Sequence, residues 1–267
     1  MRTALLVLFI AASVGCNGTP QKAKPETTEP ETTEPETTEP ETTEPETTEP
    51  ETTEPETTEP ETTEPEITKI EAKFKTNLKL AEQGNAKAQY DLGLMYYNGA
   101  GVLKDQAEAA KWYRKAAEQG NTKAQLFLGF ICRYGLGVPQ DQAESLKWYH
   151  EAAEQGNDEA QYNLAAMYDD GEGTPKNKAE AEKWYRKAAE QGNATAQFHL
   201  GVMHYSGDGV PENLTEGYAW FAIAGANGDE DSKVMLVAVK AGLTPDQLAE
   251  AQKRATQLSE QINANKD

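Results

Sequence analysis

Along most of this chain, apolar residues occur in groups whose members lie three or four positions apart, the spacing of one helix face. One group contains Trp112 and Ala116 and ends at Gly120, where glycine readily adopts the left-handed conformation that closes a helix. Another group spans Ala88–Tyr96 and contains Gly93, whose small size leaves room for a neighbouring helix. The pattern therefore predicts two kinds of helix that pack against each other.

The two kinds of helix recur with a fixed period of 36 residues. Tryptophan marks this period at Trp112, Trp148, Trp184 and Trp220. The motif AEQGN follows the same period and ends at Asn85, Asn121, Asn157 and Asn193. Glycine-rich segments, which lack the Gly-Lys-Ser/Thr ending of phosphate loops and so predict turns, begin at Gly99, Gly135, Gly171 and Gly207. A period of this length is typical of a stacked array of similar units.

Read in order, the motifs A-x-A-Q-x-x-L-G-x-M-Y-x-x-G-x-G-V and K-W-Y-x-x-A-A-E-Q-G-N resemble the Sel1-like repeat, a relative of the tetratricopeptide repeat. The resemblance covers about Glu71 to Asp267. It implies an all-α fold, a right-handed α-solenoid of about five 36-residue helix-turn-helix units. The first helix of each unit, helix A, is expected to begin near Ala86, Thr122, Asp158 and Ala194. The second, helix B, is expected to begin near Gln106, Gln142, Lys178 and Leu214.

The two ends of the array are expected to differ from its middle. Glu71–Glu82 predicts a leading half-unit, and Asp229–Val239 predicts a fifth unit. Thr244 then precedes Pro245, a capping residue followed by a residue that favours the first turn of a helix. The helix that follows is rich in Gln, Glu, Lys and Arg, and it predicts the polar C-terminal cap that a repeat array needs.

The first residues predict export and a membrane anchor. Residues 1–15 combine Arg2, a short apolar run and small residues, which is the pattern of a signal peptide. Ser13–Cys16 resembles the bacterial lipobox, which implies lipid attachment at Cys16, and an ordinary signal peptide cleaved nearby is the alternative. Asn17 after the cysteine implies sorting to the outer membrane. The expected location is therefore the bacterial cell envelope, with the repeats in the periplasm or at the surface.

Residues 16–66 predict a disordered tether behind the lipidated end. The pentapeptide ETTEP occurs eight times between Glu26 and Pro65 without any apolar residue, so folding has no burial to offset its entropy. Recurring proline and repelling glutamates favour an extended chain, and its 40 residues reach about 120 Å at about 3.1 Å each. Sites for O-linked sugar on the threonines are an alternative. The array is then expected to occupy residues 67–267.

Charge argues against a nucleic-acid partner. The formal net charge is -20, but 16 of the 45 acidic residues lie in the pentapeptides. From Ile67 onward the chain contains 22 Lys and Arg and 28 Asp and Glu, so the formal net charge of the repeat part is near -6. It has no basic field that would attract nucleic acid. If Cys16 carries lipid, Cys132 has no disulfide partner, and packing must supply the stability.

The sequence contains no pattern that predicts catalysis, a cofactor or a metal site. Some members of the Sel1-like family bind β-lactams, yet Ser-x-x-Lys, Ser-Asp-Asn and Lys-Thr-Gly are absent from the repeat part. His199 has no Cys or second His at ligand spacing. Cys132 occupies the position of Tyr96 and is expected to be a buried apolar residue.

The resemblance places a binding groove on helix A. Positions that vary between units are the candidates, because positions shared by all units are explained by stacking. The predicted protein-binding residues are Tyr90, Tyr97, Asn98, Phe130, Arg133, Tyr134, Tyr162, Asp169, Asp170 and Tyr205. Tyr and Arg are frequent interface residues. The alternative is that these side chains at the ends of helices are merely solvated, and Phe127, whose equivalents are polar, is a further exposed candidate.

Two functions remain open from the sequence. The first is a membrane-tethered, non-enzymatic adaptor whose groove binds a partner protein or peptide. The second is a cell-envelope enzyme or glycan-binding protein, similar to a β-lactamase, that acts on peptidoglycan fragments.

Overall fold

The structure, a computed structural model, describes residues 64–264, with side chains described from residue 68. Within this range the chain is helical and contains no strand. Its helices are α1 (Glu64–Glu82), α2 (Ala86–Asn98), α3 (Gln106–Glu118), α4 (Thr122–Tyr134), α5 (Gln142–Glu154), α6 (Asp158–Asp170), α7 (Lys178–Glu190), α8 (Ala194–Ser206), α9 (Leu214–Ala226), α10 (Glu230–Gly242) and α11 (Pro245–Ala264). None of them is both long and apolar enough to cross a bilayer.

The helices form a solenoid of paired units, which confirms the predicted fold class. Helices α2, α4, α6 and α8 are the helices A of units 1 to 4, and each begins at the predicted residue. Helices α3, α5, α7 and α9 are the corresponding helices B, again with the predicted first residues. Each helix B packs against its own helix A and against the next helix A along the chain. Helix α1 is the helix B of the leading half-unit, and α10 is a fifth helix A.

The repeated turn motif encodes the ends of the helices. Asn121 caps α4 by accepting a hydrogen bond from the Ala124 N–H at 3.0 Å, and its equivalents Asn85, Asn157 and Asn193 do the same. Gly120, in the preceding turn, has φ of +82°, as a closing glycine requires. The motif therefore both ends one helix and begins the next.

In units 1, 2 and 4, an aromatic ring of helix B packs directly against a glycine of helix A. A Cβ built on Gly129 would lie 2.8 Å from Cδ1 of Tyr149, so no larger residue fits without a shift. Gly93 opposes Tyr113 and Gly201 opposes Phe221 in the same way, and unit 3 uses Ala165 at this position. These small residues let helices A and B approach closely, as the sequence predicted for Gly93.

A ladder of buried glutamines links the units. The Gln125 side chain donates to the Ala117 carbonyl at 3.1 Å, and its own oxygen accepts from Gln155 at 2.6 Å. Gln89, Gln161 and Gln197 make the equivalent pair of bonds, the last with Asn227 in place of a glutamine. Each rung joins the helix A that carries it to the helix B before it and the helix B after it.

The C-terminal helix caps the array in an unexpected place. Thr244 and Gln247 form the predicted cap of α11, but α11 packs against α9 rather than beside α10. Its Leu258 joins the buried cluster that contains Trp220. Within residues 64–264, α10 is not followed by a helix B of its own unit, and Val237, at the position that is Gly or Ala in the other units, is 74% exposed.

The described part of the chain begins near the residue at which the array was expected to start. Helix α1 begins at Glu64, three residues before the predicted start at residue 67 and inside the last pentapeptide. The predictions for residues 1–15, Cys16 and most of the tether lie outside the described residues.

Removing one rung of the glutamine ladder should destabilise the array. Gln161→Leu removes two hydrogen bonds, one to the Ala153 carbonyl and one from the Gln191 amide, and we expect the free energy of unfolding to fall by about 1–3 kcal/mol. Urea denaturation followed by circular dichroism measures this loss. Gln252→Leu, at an exposed site on α11, is the control. Equal losses in the two variants would contradict the role assigned to the ladder.

Candidate functional site

The structure brings the predicted residues of units 2 and 3 together around Tyr162 on α6. Burial raises the pKa of the Tyr162 hydroxyl, the Asp170 carboxylate raises it further and Arg133 opposes both, and Tyr134 also lies near this hydroxyl. These three residues stand at the C-terminal ends of α4 and α6, so neighbouring helices A present them to the same surface. We call the surface formed by Phe130, Tyr134, Tyr162 and Asp170 the central A surface.

Two rings on α4 are the most accessible part of this surface. Phe130 is 37% exposed and Tyr134 is 56% exposed, and their ring centroids are 4.9 Å apart. No other Phe, Tyr or Trp side chain in residues 68–264 is exposed. The equivalents of Phe130 are Leu94, Ala166 and Val202, and those of Tyr134 are Asn98, Asp170 and Ser206. The packing of a unit therefore requires an aromatic ring at neither position.

The Arg133 side chain already has partners within the chain. Its Nε donates to Oε2 of Glu172 at 2.7 Å, and its side chain is only 12% exposed. Glu172 lies in the loop of the following unit, so this ion pair joins units 2 and 3. The guanidinium plane also lies 5.6 Å from the centre of the Tyr134 ring. Arg133 thus supports Tyr134 and leaves little surface of its own for a partner.

Asp169, the equivalent of Arg133 in unit 3, pairs within its own unit with a lysine that also reaches the next unit. Lys178 forms an ion pair with Asp169 and a second one with Asp208, at 2.6 Å, in the loop of unit 4. In unit 1, the equivalent residue Tyr97 packs against the same apolar cluster as Leu136 from the next loop. Variation at this helix position therefore accompanies variation at the second residue of the next loop. From the sequence alone, we interpreted that variation as a sign that these residues bind a partner.

The remaining predicted residues lie away from the central A surface. Tyr90 is half-buried and contacts the rings of Tyr113 and Phe127, at centroid distances of 5.8 and 5.9 Å. Tyr205 is half-buried against the cluster around Phe221 at the other end of the array. Asn98 is exposed at the end of α2. These residues extend the helix A surface on either side without joining its centre.

Two pairs of stacked rings, which the sequence did not reveal, each join a helix B to the next helix A. His199 stacks on Tyr185 with ring centroids 4.9 Å apart and planes 7° apart. Phe127 stacks on Tyr113 in the equivalent arrangement, at 5.5 Å and 18°. Phe127 is half-buried in this stack, so its interpretation as an exposed contact was wrong.

The thiol of Cys132 is buried among apolar side chains. Burial raises the pKa of the Cys132 thiol to about 12, and the nearby Glu144 carboxylate adds to this effect. The thiol is 1% exposed, which confirms its predicted place in the packing, and it stays protonated at neutral pH. Within residues 68–264 no group of three or more His, Cys, Asp and Glu could hold a metal ion.

Comparison with known proteins identifies the repeat. Residues 86–121, 122–157, 158–193 and 194–229 each match the family model described as Sel1 repeat. A protective antigen of uropathogenic Escherichia coli with an SLR fold is 39% identical over 69% of this chain and 40% of its own, with a TM-score of 0.62. A Sel1 repeat protein from Oxalobacter formigenes is 34% identical over 69% of this chain and 76% of its own, with a TM-score of 0.59. A search of curated proteins finds no match.

Protonation of His199 should weaken the fold as the pH falls. Burial lowers the pKa of this imidazole below 6.5, against the opposing charges of Asp169, Asp170 and Asp229. The unfolded chain therefore takes up a proton first, and the free energy of unfolding decreases from pH 6.5 down to the lower folded pKa. His199→Phe copies the stack that Phe127 makes and should remove part of this decrease.

The measurement is the change in Tm between about pH 7 and about pH 5.5, where histidine is the side chain that titrates. Burial also lowers the pKa of His204, so the variant should keep a smaller pH dependence. An equally large decrease in the variant would show that His199 is not the group responsible.

Proposed function

We propose that this chain, which belongs to the Sel1 repeat family, is a tethered scaffold that holds a segment of a partner protein on its central A surface. Sel1 repeat proteins generally act as protein-interaction scaffolds, and the proposal includes no catalytic step. What is particular to this chain is the position of the contact, at Phe130 and Tyr134, and its attachment to the cell envelope through Cys16.

The exposed ring pair of Phe130 and Tyr134 is the observation that carries the proposal. Aromatic side chains bury a large apolar area with few rotatable bonds, and they are enriched among the residues that dominate binding energy. The two rings lie one turn apart on α4 and contact each other, so they present one continuous apolar patch. The other units have no aromatic ring at these positions, so the packing of a unit does not explain the two rings. We therefore assign them to the binding of a partner.

The surroundings of the ring pair favour binding without rearrangement. The ion pair of Arg133 with Glu172 fixes the residue between the two rings to the next unit. On the inner side, Leu128 and Ile131 of the same helix are fully buried. A partner therefore meets a surface whose order is already established by folding, and less entropy is lost on binding.

The N-terminal segment supports the second part of the proposal. Cys16 in its lipobox-like context would carry the lipid, and Asn17 points to the outer membrane of the bacterial cell envelope. The pentapeptides would let the repeats, in the periplasm or at the surface, search a volume about 120 Å deep from the anchor. Confinement to that volume raises the effective concentration of any partner held at the same membrane.

The alternative of an enzyme or glycan-binding protein gains no support from the site. The central A surface consists of two exposed rings, a tyrosine and a single exposed carboxylate. Its ionisable neighbours Arg133, Asp169 and Lys178 are paired within the chain. We therefore do not propose that second function.

Removing the two exposed rings should abolish partner capture. Phe130→Ala combined with Tyr134→Ala removes the apolar patch and should weaken binding by more than about 30-fold. A partner captured from native membranes by the wild-type chain is identified by mass spectrometry, purified and titrated against both proteins. Val237→Ala, at an exposed apolar side chain on α10, is the control and should bind normally. Unchanged affinity of the double variant, with helical circular dichroism intact, would refute the assigned surface.

Replacing Cys16 should release the chain from membranes. Cys16→Ser removes the only thiol to which the lipobox-like motif could direct lipid, so the variant should move from the membrane fraction to the soluble fraction. Cys132→Ser changes the other cysteine of the chain and should stay with the membrane. If Cys16→Ser stays there too, lipid attachment at this residue is wrong.

A further inference from the structure

Asp170 is an unpaired carboxylate on the central A surface. It is exposed at the end of α6, in the position that Tyr134 occupies one unit earlier. Within the described residues it forms no ion pair and no hydrogen bond through its side chain. Its charge nevertheless acts on Tyr162, Tyr185 and His199. The carboxylate therefore stands beside the rings that line the surface, with no cation of its own.

The charges around Asp170 leave a negative excess. Arg133 pairs with Glu172 alone, whereas the single amine of Lys178 serves both Asp169 and Asp208. With Asp170 and the exposed Lys176 of the loop after α6, these groups bring three cations to four carboxylates. Asp208 remains 57% exposed despite its partner. A cationic group on a binding partner would find complementary charge at this place, and an anionic group would be repelled.

The negative excess lies next to the exposed ring pair. Tyr134 and Asp170 both act on the hydroxyl of Tyr162, and they are equivalent residues of adjacent units. Packed helices are separated by about 10 Å. An extended chain advances about 3.3 Å per residue, so about three residues of it would reach from one position to the other.

Building on the proposed function, we propose that the partner segment is extended and basic. An apolar side chain of the segment rests on Phe130 and Tyr134, and a lysine or arginine about three residues away pairs with Asp170. The rings supply the main contact, because apolar burial outweighs a partly exposed ion pair. Asp170 supplies the specificity, because its negative charge favours basic segments and disfavours acidic segments.

Selection from a library of random displayed peptides tests this proposal. The bait is the full chain in its Cys16→Ser form, immobilised and exposed to the library in low salt. Peptides enriched by this bait should combine an apolar residue with a lysine or arginine about three positions away. Asp170→Asn should still enrich the apolar residue but lose the basic one. Asp246→Asn, which changes an exposed carboxylate on α11, should select the same peptides as the parent.

One enriched peptide, labelled with a fluorophore, then gives the affinities by anisotropy. Asp170→Asn should weaken its binding about two- to fivefold and reduce the dependence on salt. The double variant Phe130→Ala and Tyr134→Ala should remove binding.

The possible failures are distinct. Enriched peptides that need the two rings but show no basic preference would overturn the basic-segment proposal and leave the proposed function standing. Peptides that bind the double variant as well as the parent would overturn the placement of the site itself. A bait that enriches no peptides would overturn both.

Discussion

The array depends on the buried side-chain amides that join one helix pair to the next. The last carbonyls of a helix have no partner within the helix, and that of Ala117 accepts from the Gly120 N–H of the turn at 2.9 Å. A further bond comes from the next helix A, where the Gln125 side chain donates to the same carbonyl while accepting a bond from Gln155. Because hydrogen bonds require a narrow range of distance and angle, these bonds fix both the distance and the register between units. The close contact of Gly129 with Tyr149 fixes the spacing inside a unit.

Much of this framework could be predicted because it repeats. The helix boundaries followed from capping residues that recur in register, and the small residue opposite an aromatic ring was recognisable at Gly93. The position of α11 was not predictable in this way. It depends on the loss of a helix B in the fifth unit, which the sequence marks by Val237 at a position that is otherwise Gly or Ala and by Thr256 where the period would place a tryptophan.

The candidate site was harder to predict for a physical reason. A side chain that differs between units can be explained by a partner molecule or by a neighbour in the next unit, and a single sequence does not separate these causes. Arg133 belongs to the second case, because Glu172 of the next loop holds it, and Asp169 is held by Lys178, which also pairs with Asp208 of the next loop. Phe130 and Tyr134 have no such neighbour from the following loop and remain exposed. Asp170 was predicted among the variable residues, but its lack of a partner became visible only in three dimensions.

The regularity of the glutamine ladder has a consequence for how such a chain changes over generations. Every rung connects residues separated by the same interval in sequence, so a copy of one unit inserted between two others would arrive with both halves of its own bonds. Insertion or deletion of a whole unit would therefore keep the glutamine ladder continuous, and only contacts particular to two neighbouring units, such as that of Arg133 with Glu172, would have to form anew. The length of the helix A surface would then change by whole units, and the residues that distinguish one unit from the others would be kept.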